Sequence, residues 1–394
     1  MAPRLSRNVV ALGGVSFFTD AATEMIYPLL PLFLSSVLGA NASFIGAIEG
    51  LAESTAAILK LASGWWSDKI SKRKPLVVLG YGIATFVRPF VALAQSAGMV
   101  LAIRLADRIG KGIRSAPRDA LLADSTDAES RGRTFGFHAA ADNAGAVVGP
   151  LVAFALLRYF DLSLRDVFWL AAIPGILAFI VLVVAVREVP IAAAAPGAAT
   201  APDLSAPEKL SKRFWAYLGV VLLFTLGNST DAFLLLRANQ LGVAVVLMPI
   251  LWAFLNLIKT LFGTWAGGLS DRFGRKPLIV GGWLLYAAVY LGFSVATESW
   301  HAWALFATYG LFYALTEGTE KALVADIVPR ERRGAAYGWY NLAIGLGALP
   351  ASLVFGAIWD HAGSQTAFLF GASLALVAAV GMTLVSPRRE PAVA

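Results

Sequence analysis

GWWSDKISKRKP at 64–75 and GGLSDRFGRKP at 267–277 are two versions of one segment in a chain of 394 residues. Each sets an aspartate, Asp68 or Asp271, beside a run of cations: Lys69, Lys72 and Arg73 in the first, Arg272 and Arg275 in the second. Gly64 and Gly267 open the two copies, and Ser71 stands where the second has Gly274. Outward from this pair the likeness continues at a shift of about 202 residues. RDALLADS at 118–125 recurs as EKALVADI at 320–327, and RGRTFGFH at 131–138 recurs as RGAAYGWY at 333–340. Two like halves place a substrate site between them, with rocking of one half against the other as the working motion.

Composition says where such halves live. Hydrophobic residues make up 58% of the chain and charged residues 14%, with a mean hydropathy of +0.70. Soluble domains carry about 25% charge, so this is a membrane composition. There is no cysteine, which excludes disulfides, thiolate metal sites and cysteine nucleophiles. His138, His301 and His361 are too scattered for a metal cluster, so neither metal nor cofactor is expected. No nucleophile–base set is visible either, so the chain does not read as an enzyme. The net charge of +7 would point to nucleic acid in a soluble protein. The placement of the cations points elsewhere.

Crossing a ~30 Å hydrocarbon core takes about 20 apolar residues, and a lipid-facing backbone must bond to itself, so the spans are helices. Twelve are expected, near 8–36, 43–66, 75–96, 98–125, 131–160, 165–187, 213–240, 243–268, 276–297, 300–328, 333–360 and 363–386. The first lacks a small-residue cleavage site and reads as a retained helix. With both termini in the cytoplasm, the inner segments collect 20 lysines and arginines, from Arg4 and Arg7 through Arg388 and Arg389. The outer loops hold Arg158 and Arg165, with Arg237 at a span end. That asymmetry sets the topology and the expected address, the cell's inner membrane. EVPIAAAAPGAATAPDLSAPEKLSK at 188–212 has the composition of a flexible linker. It separates bundles 1–187 and 213–394, giving an all-α membrane fold of two pseudo-symmetric six-helix bundles.

These motifs resemble the major facilitator superfamily, across the whole chain. The family's loop signature G-x-L-x-D-R-x-G-R-K is matched by Gly267, Leu269, Asp271, Arg272, Gly274, Arg275 and Lys276. The first copy keeps Gly64, Asp68, Lys69, Lys72 and Arg73, with Trp66 for the leucine. Physically, the aspartate can meet the positive N-terminus of a neighbouring helix and lock the inner face in one state. LADRIGKG at 105–112 is similar to the fourth-helix motif L-x-x-R-x-x-x-G, which implies proton coupling at Arg108. GAVVGP at 145–150 resembles the antiporter motif G-x-x-x-G-P, although Ala153 and Phe154 replace the glycines that usually follow.

A charge at the bilayer centre costs at least ~2.5 kcal/mol, so buried ions should be paired or face a wet cavity. The fourth span carries Arg104, Asp107, Arg108, Lys111, Arg114 and Arg118, its cations within a ~120° sector of one helix face. Gly110, Gly112 and Pro117 in the same span suit a helix that bends or lines a cavity. Acids available to the stripe include Asp20 and Glu24 on the first span, Asp142 after His138 on the fifth, Asp231 beside Asn228 on the seventh, and Glu317 on the tenth. Glu49, Glu53, Lys60 and Arg104 read as structural pairs. Asp20 and Glu24 are the first candidates for proton carriers, because burial disfavours a charged carboxylate. Arg108, Lys111 and Arg114 would balance them or hold an anionic group of the substrate. Arg118 and Asp119 align with Glu320 and Lys321, an inverted charge order that allows an ionic latch between the halves.

The expectation is a proton-coupled carrier of a small molecule, working as a monomer in the lipid bilayer without nucleic acid. The antiporter-like motif leans toward export. The cationic stripe leans toward import of an organic anion or siderophore-like solute, and a non-transporting sensor is the remote alternative.

Overall fold

The computed structural model describes residues 5–69, 72–126, 130–189, 210–329 and 332–385, without the side chains at 65, 68, 69, 131, 132 and 264. Among these residues twelve membrane-length segments follow in order. They are α1 (Arg7–Val37), α2 (Ala42–Lys69), α3 (Lys74–Leu93), α4 (Ala97–Asp124), α5 (Arg131–Tyr159), α6 (Leu164–Ala185), α7 (Lys212–Gln240), α8 (Met248–Phe273), α9 (Arg275–Val295) and α10 (Ser299–Ile327). A last run, Arg333–Leu384, is divided by Gly363 into α11 (333–362) and α12 (364–384). Most of the expected linker, 190–209, lies outside the described residues, as do Arg4, Arg330, Arg388 and Arg389.

Local chemistry accounts for the ends and breaks. Ser6, Ser96 and Ser211 each accept an N–H from the first turn of α1, α4 and α7, relieving donors that would otherwise be orphaned. Gly274 and Gly363 adopt φ of 90° and 85° at the turns between α8 and α9 and between α11 and α12, a left-handed region that side chains avoid. Pro28 interrupts α1, where residues 27–29 form a turn. In α7 the GNSTD stretch ends one helix at Gly227 and starts another at Ala232. Its short polar side chains compete with backbone hydrogen bonding.

Among the described residues nine helices are long and apolar enough to cross a membrane by length and composition, the run through α11 and α12 being counted as one of them. Absent from the nine are α4 and α10, the fourth helix of each half, which carry Arg104, Asp107, Arg108, Lys111, Arg114 and Arg118 in one case and Glu317, Glu320, Lys321 and Asp326 in the other. Elsewhere large apolar side chains such as Ile173, Val184, Leu261 and Val380 are exposed on the outer surface, as a lipid solvent requires.

Glycines set the closeness of packing. Gly110 of α4 abuts α3, where an added Cβ would lie 2.6 Å from the Gly80 carbonyl oxygen. α4 is one continuous helix from Ala97 to Asp124 with Pro117 inside it. Its glycines serve contact with neighbours. The same holds for GAVVGP: a Cβ on Gly149 would lie 2.9 Å from the Ala21 Cα of α1.

Candidate functional site

Between the bundles the seam is closed at one end and open at the other. The basic end is the one where α2 meets α3 and α8 meets α9. At the far end α2 and α11 touch backbone to backbone, and a Cβ on Gly50 would lie 2.8 Å from the Leu349 Cα. Ser54 donates to the Gly345 carbonyl at 2.6 Å. Asp360, at the end of α11, accepts the N–H groups of Ala42 and Ser43 at 2.9 and 2.8 Å. One bundle thus caps the first turn of a helix in the other, with a negative charge at its positive terminus. Trp252 of α8 donates to Glu24 of α1 at 2.6 Å and packs against Tyr27.

Toward the basic end the bundles part around a cavity of about 420 Å³. Asp142 and Asn143 of α5 line one wall, and Lys259 and Thr260 of α8 with Tyr313, Glu317 and Lys321 of α10 line the other. Deeper in the seam, Asp20 has no hydrogen bond or ion pair among the described residues but interacts electrostatically with Asp142, Glu24 and Lys111. Lys111 is exposed, with no acid within ion-pair distance among the described residues, and its field reaches Asp20, Glu24 and Glu53. On the opposite wall Lys259 bonds Glu317 at 2.8 Å, and Lys321 approaches the same carboxylate at 3.6 Å.

Most of the remaining buried charges of the first bundle are met by an opposite charge. Arg104 grips Glu49 through Nε and Nη2 at 2.6–3.1 Å, Arg88 holds Asp107 at 2.8 Å, and Arg108 reaches Glu53 at 3.4 Å. Arg114 lies over the Tyr81 ring at 4.2 Å, a cation–π contact inside the bundle. His138 is buried 3.5 Å from Asp142, which also bonds Ser16. In the second bundle Asp231, at the break of α7, accepts from Tyr309 at 2.7 Å and Tyr313 at 3.0 Å. Glu320 accepts from Trp283 at 2.8 Å and Tyr340 at 2.7 Å.

At the basic end the repeated loops show their symmetry in side chains. Arg73 donates to Asp124 at 2.5 Å, and Arg275 reaches Asp326 at 3.3 Å. These are equivalent positions of the two halves, the aspartates closing α4 and α10. The chain belongs to the major facilitator superfamily. The family model of that name covers residues 12–265 and 255–394. An uncharacterized MFS-type transporter of Methanocaldococcus jannaschii is 36% identical over 380 residues, 95% of this chain and 93% of its own. A multidrug resistance protein, MdtH of Yersinia enterocolitica, matches more locally, at 33% identity over 116 residues and 29% of each chain. Among solved structures, the nucleoside transporter NupG superposes with a TM-score of 0.81 over 96% of this chain and all of its own, at 16% identity, a likeness of fold. Like other members of the superfamily, this is a multi-pass membrane protein of a secondary-transporter family.

Set against that family, the expected site residues divide. Asp20, Glu24, Lys111, Asp142, Asp231 and Glu317 are gathered at the seam, and Asn228 sits at the break of α7. Arg108, Arg114 and His138 are engaged inside the first bundle. The latch residues pair within their own halves: Arg118 with Asp119 at 2.8 Å, and Lys321 with Glu317. In the loop motif, Gly64 and Gly267 are helical, Lys72 and Arg272 are exposed, and the side chains of Asp68 and Lys69 lie outside the described residues. Asp271 bonds the side chain of Arg275, the first residue of α9, in place of the expected contact with a helix's N-terminal N–H groups, because that guanidinium lies just across the Gly274 turn. Sequence reasoning passed over Lys259, hidden in the apolar run LWAFLNLIKTLF, although a lone lysine in such a run is itself a signal. It also passed over Asp124 and Asp326, which lay in plain view within the aligned repeats. Asp360 and the aromatic donors Trp252, Tyr309 and Tyr313 carried no signal at all.

Proposed function

We propose that this chain is a proton-coupled secondary transporter that moves a small molecule by alternating access, leaning toward export. Bundles 1–187 and 213–394 rock about the seam while residues 188–212 tether them, and one copy suffices. By the distribution of lysine and arginine the basic end is cytoplasmic, in the inner membrane with both termini inside. The conformation seen is then open inward.

The observation that carries the reading is the placement of Asp20: half-buried, without a counter-ion in contact, beside Glu24 and Lys111. A carboxylate so placed gains or loses a proton without breaking an ion pair. Glu24, its neighbour one turn on, is already bonded to the opposite bundle through Trp252, so a change of charge there is felt across the seam. In this reading Arg108, Arg114, His138 and Asp142 tune this pair from the first bundle, and Asn228, Asp231 and Glu317 take part from the second. When the basic end closes, the loop cations and the Arg118–Glu320 and Asp119–Lys321 pairings would lock it. Export is supported by the local likeness to a multidrug resistance protein and by the partial antiporter motif. Import of an organic anion is the second reading, favoured by Lys111, Lys259 and Lys321 at the seam.

The natural absence of cysteine gives a test that needs no substrate. A single cysteine at Ala351, buried at the sealed end, should become more or less accessible to a thiol reagent as pH is changed, its rate being divided at each pH by that of the same cysteine in denatured protein to remove the thiolate's own pH dependence. That response should vanish when Asp20→Asn and Glu24→Gln are combined. Normalised labelling that ignores pH in the unmutated background sinks proton coupling. Everted vesicles under an imposed proton gradient separate export from import. For the latch, Arg118→Glu with Glu320→Arg should transport better than Arg118→Glu alone, and equal activity ends that idea.

A further inference from the structure

We infer that the substrate is a zwitterion, its anionic group held by Lys259 and Lys321 and its cationic group by Asp142. This rests on the transport reading above and names the chemistry that the cavity would accept.

The cavity of about 420 Å³ is bounded by walls of opposite character. On the α8–α10 side two ammonium groups share one carboxylate, Glu317, at 2.8 and 3.6 Å. One anion bridging two cations leaves a positive charge unmet. The other acid whose field reaches Lys259 on that side, Asp231, is occupied by two phenol hydroxyls, and Glu320 is turned to Trp283 and Tyr340. On the α5 side, Asp142 lines the cavity with a side chain 33% exposed. Its partners are the Ser16 hydroxyl and His138, and Asp20 adds a second negative field beside it. A singly charged ligand would satisfy one wall and leave the other facing it with the wrong sign or none. A ligand with both charges satisfies both, and because the walls belong to different bundles it draws them together. Attraction across the seam is what closure over a bound substrate needs. The apolar span of the ligand would lie along Tyr313, whose ring already carries the Lys259 ammonium at 5.0 Å.

A matched set of probes decides it: 6-aminohexanoate, hexanoate and 6-aminohexanamide, with 4-aminobutanoate and 8-aminooctanoate to vary the charge spacing. Binding is read by thermal shift of the purified full-length protein at constant ionic strength. At least one zwitterion should bind on the order of tenfold more tightly than either singly charged relative, the size of one charge-assisted hydrogen bond. Lys321→Gln, at a side chain about half exposed, should remove the advantage over 6-aminohexanamide. Asp142→Asn should remove the advantage over hexanoate. The inference is overturned if a singly charged probe binds as well as the best zwitterion, or if no zwitterion stabilises the protein. The pH-dependent labelling at Ala351→Cys, run on the same preparation, keeps the two failures apart. Labelling that moves with pH while zwitterions do not bind leaves the carrier and removes the substrate class.

Discussion

The two bundles answer one problem in two ways. Each buries carboxylates where hydrocarbon would reject them. The first meets them with guanidinium groups: Glu49 with Arg104 and Asp107 with Arg88. The second meets them with neutral donors: Asp231 with two tyrosines, Glu320 with a tryptophan and a tyrosine. The difference is functional. A guanidinium fixes its partner's charge, since protonating the acid strands a buried cation. A phenol or indole leaves the acid's charge free to change at the cost of a hydrogen bond. On this view the first bundle is the rigid frame, apart from Asp20 and Glu24, and the second is the compliant wall.

Arg104→Ala should produce the largest effect. It leaves Glu49 buried and uncompensated, at a cost of about 3–5 kcal/mol, seen as a large fall in the melting temperature of purified protein. Replacing both partners, Arg104→Met with Glu49→Leu, should recover most of it. Glu320→Gln in the second bundle keeps its hydrogen-bonding shape and should cost about 1 kcal/mol. Equal losses for Arg104→Ala and Glu320→Gln would break the comparison.

A carboxylate held by neither cations nor phenols sharpens it. Asp360→Ala removes the cap on α2, worth about 0.5–2 kcal/mol, but only in the conformation sealed at the far end. The melting temperature should move little, while labelling of a cysteine at Ala351 should rise several-fold. Tyr313→Phe takes one of two hydroxyls from Asp231, at about 0.5–1.5 kcal/mol, and should narrow or displace the pH range of transport more than it lowers stability. The smallest effect belongs to the symmetric loop pairs. Arg73→Gln and Arg275→Gln break exposed bridges worth about 0.2–1 kcal/mol, with the better-buried Arg73 the larger of the two.

The fold was legible because it is written in terms that sequence carries directly. Apolar runs of span length, cations gathered on one side and a motif repeated at half the chain leave few architectures. The charged stripe of α4 was legible for the same reason, since ions in a membrane need company. Which ion kept company with which was not, because neighbours on different helices have no fixed spacing in the chain. Arg108 and Arg114 looked like cavity residues and proved to be engaged inside their bundle. Lys259 looked like part of an apolar run and proved to be half of the cavity's positive wall. Aromatic donors are invisible to such a reading, for a tyrosine that packs and one that bonds a carboxylate are the same letter.

The Asp360 contact carries a lesson for comparing relatives. Its donors are peptide groups, so any residue except proline at positions 42 and 43 preserves them, and only the acid needs to be inherited. Alignments would therefore show one lone aspartate opposite a freely drifting pair of positions, with no partner to co-vary. A fastening of this sort is nearly silent in sequence space, yet it joins the moving parts of the machine.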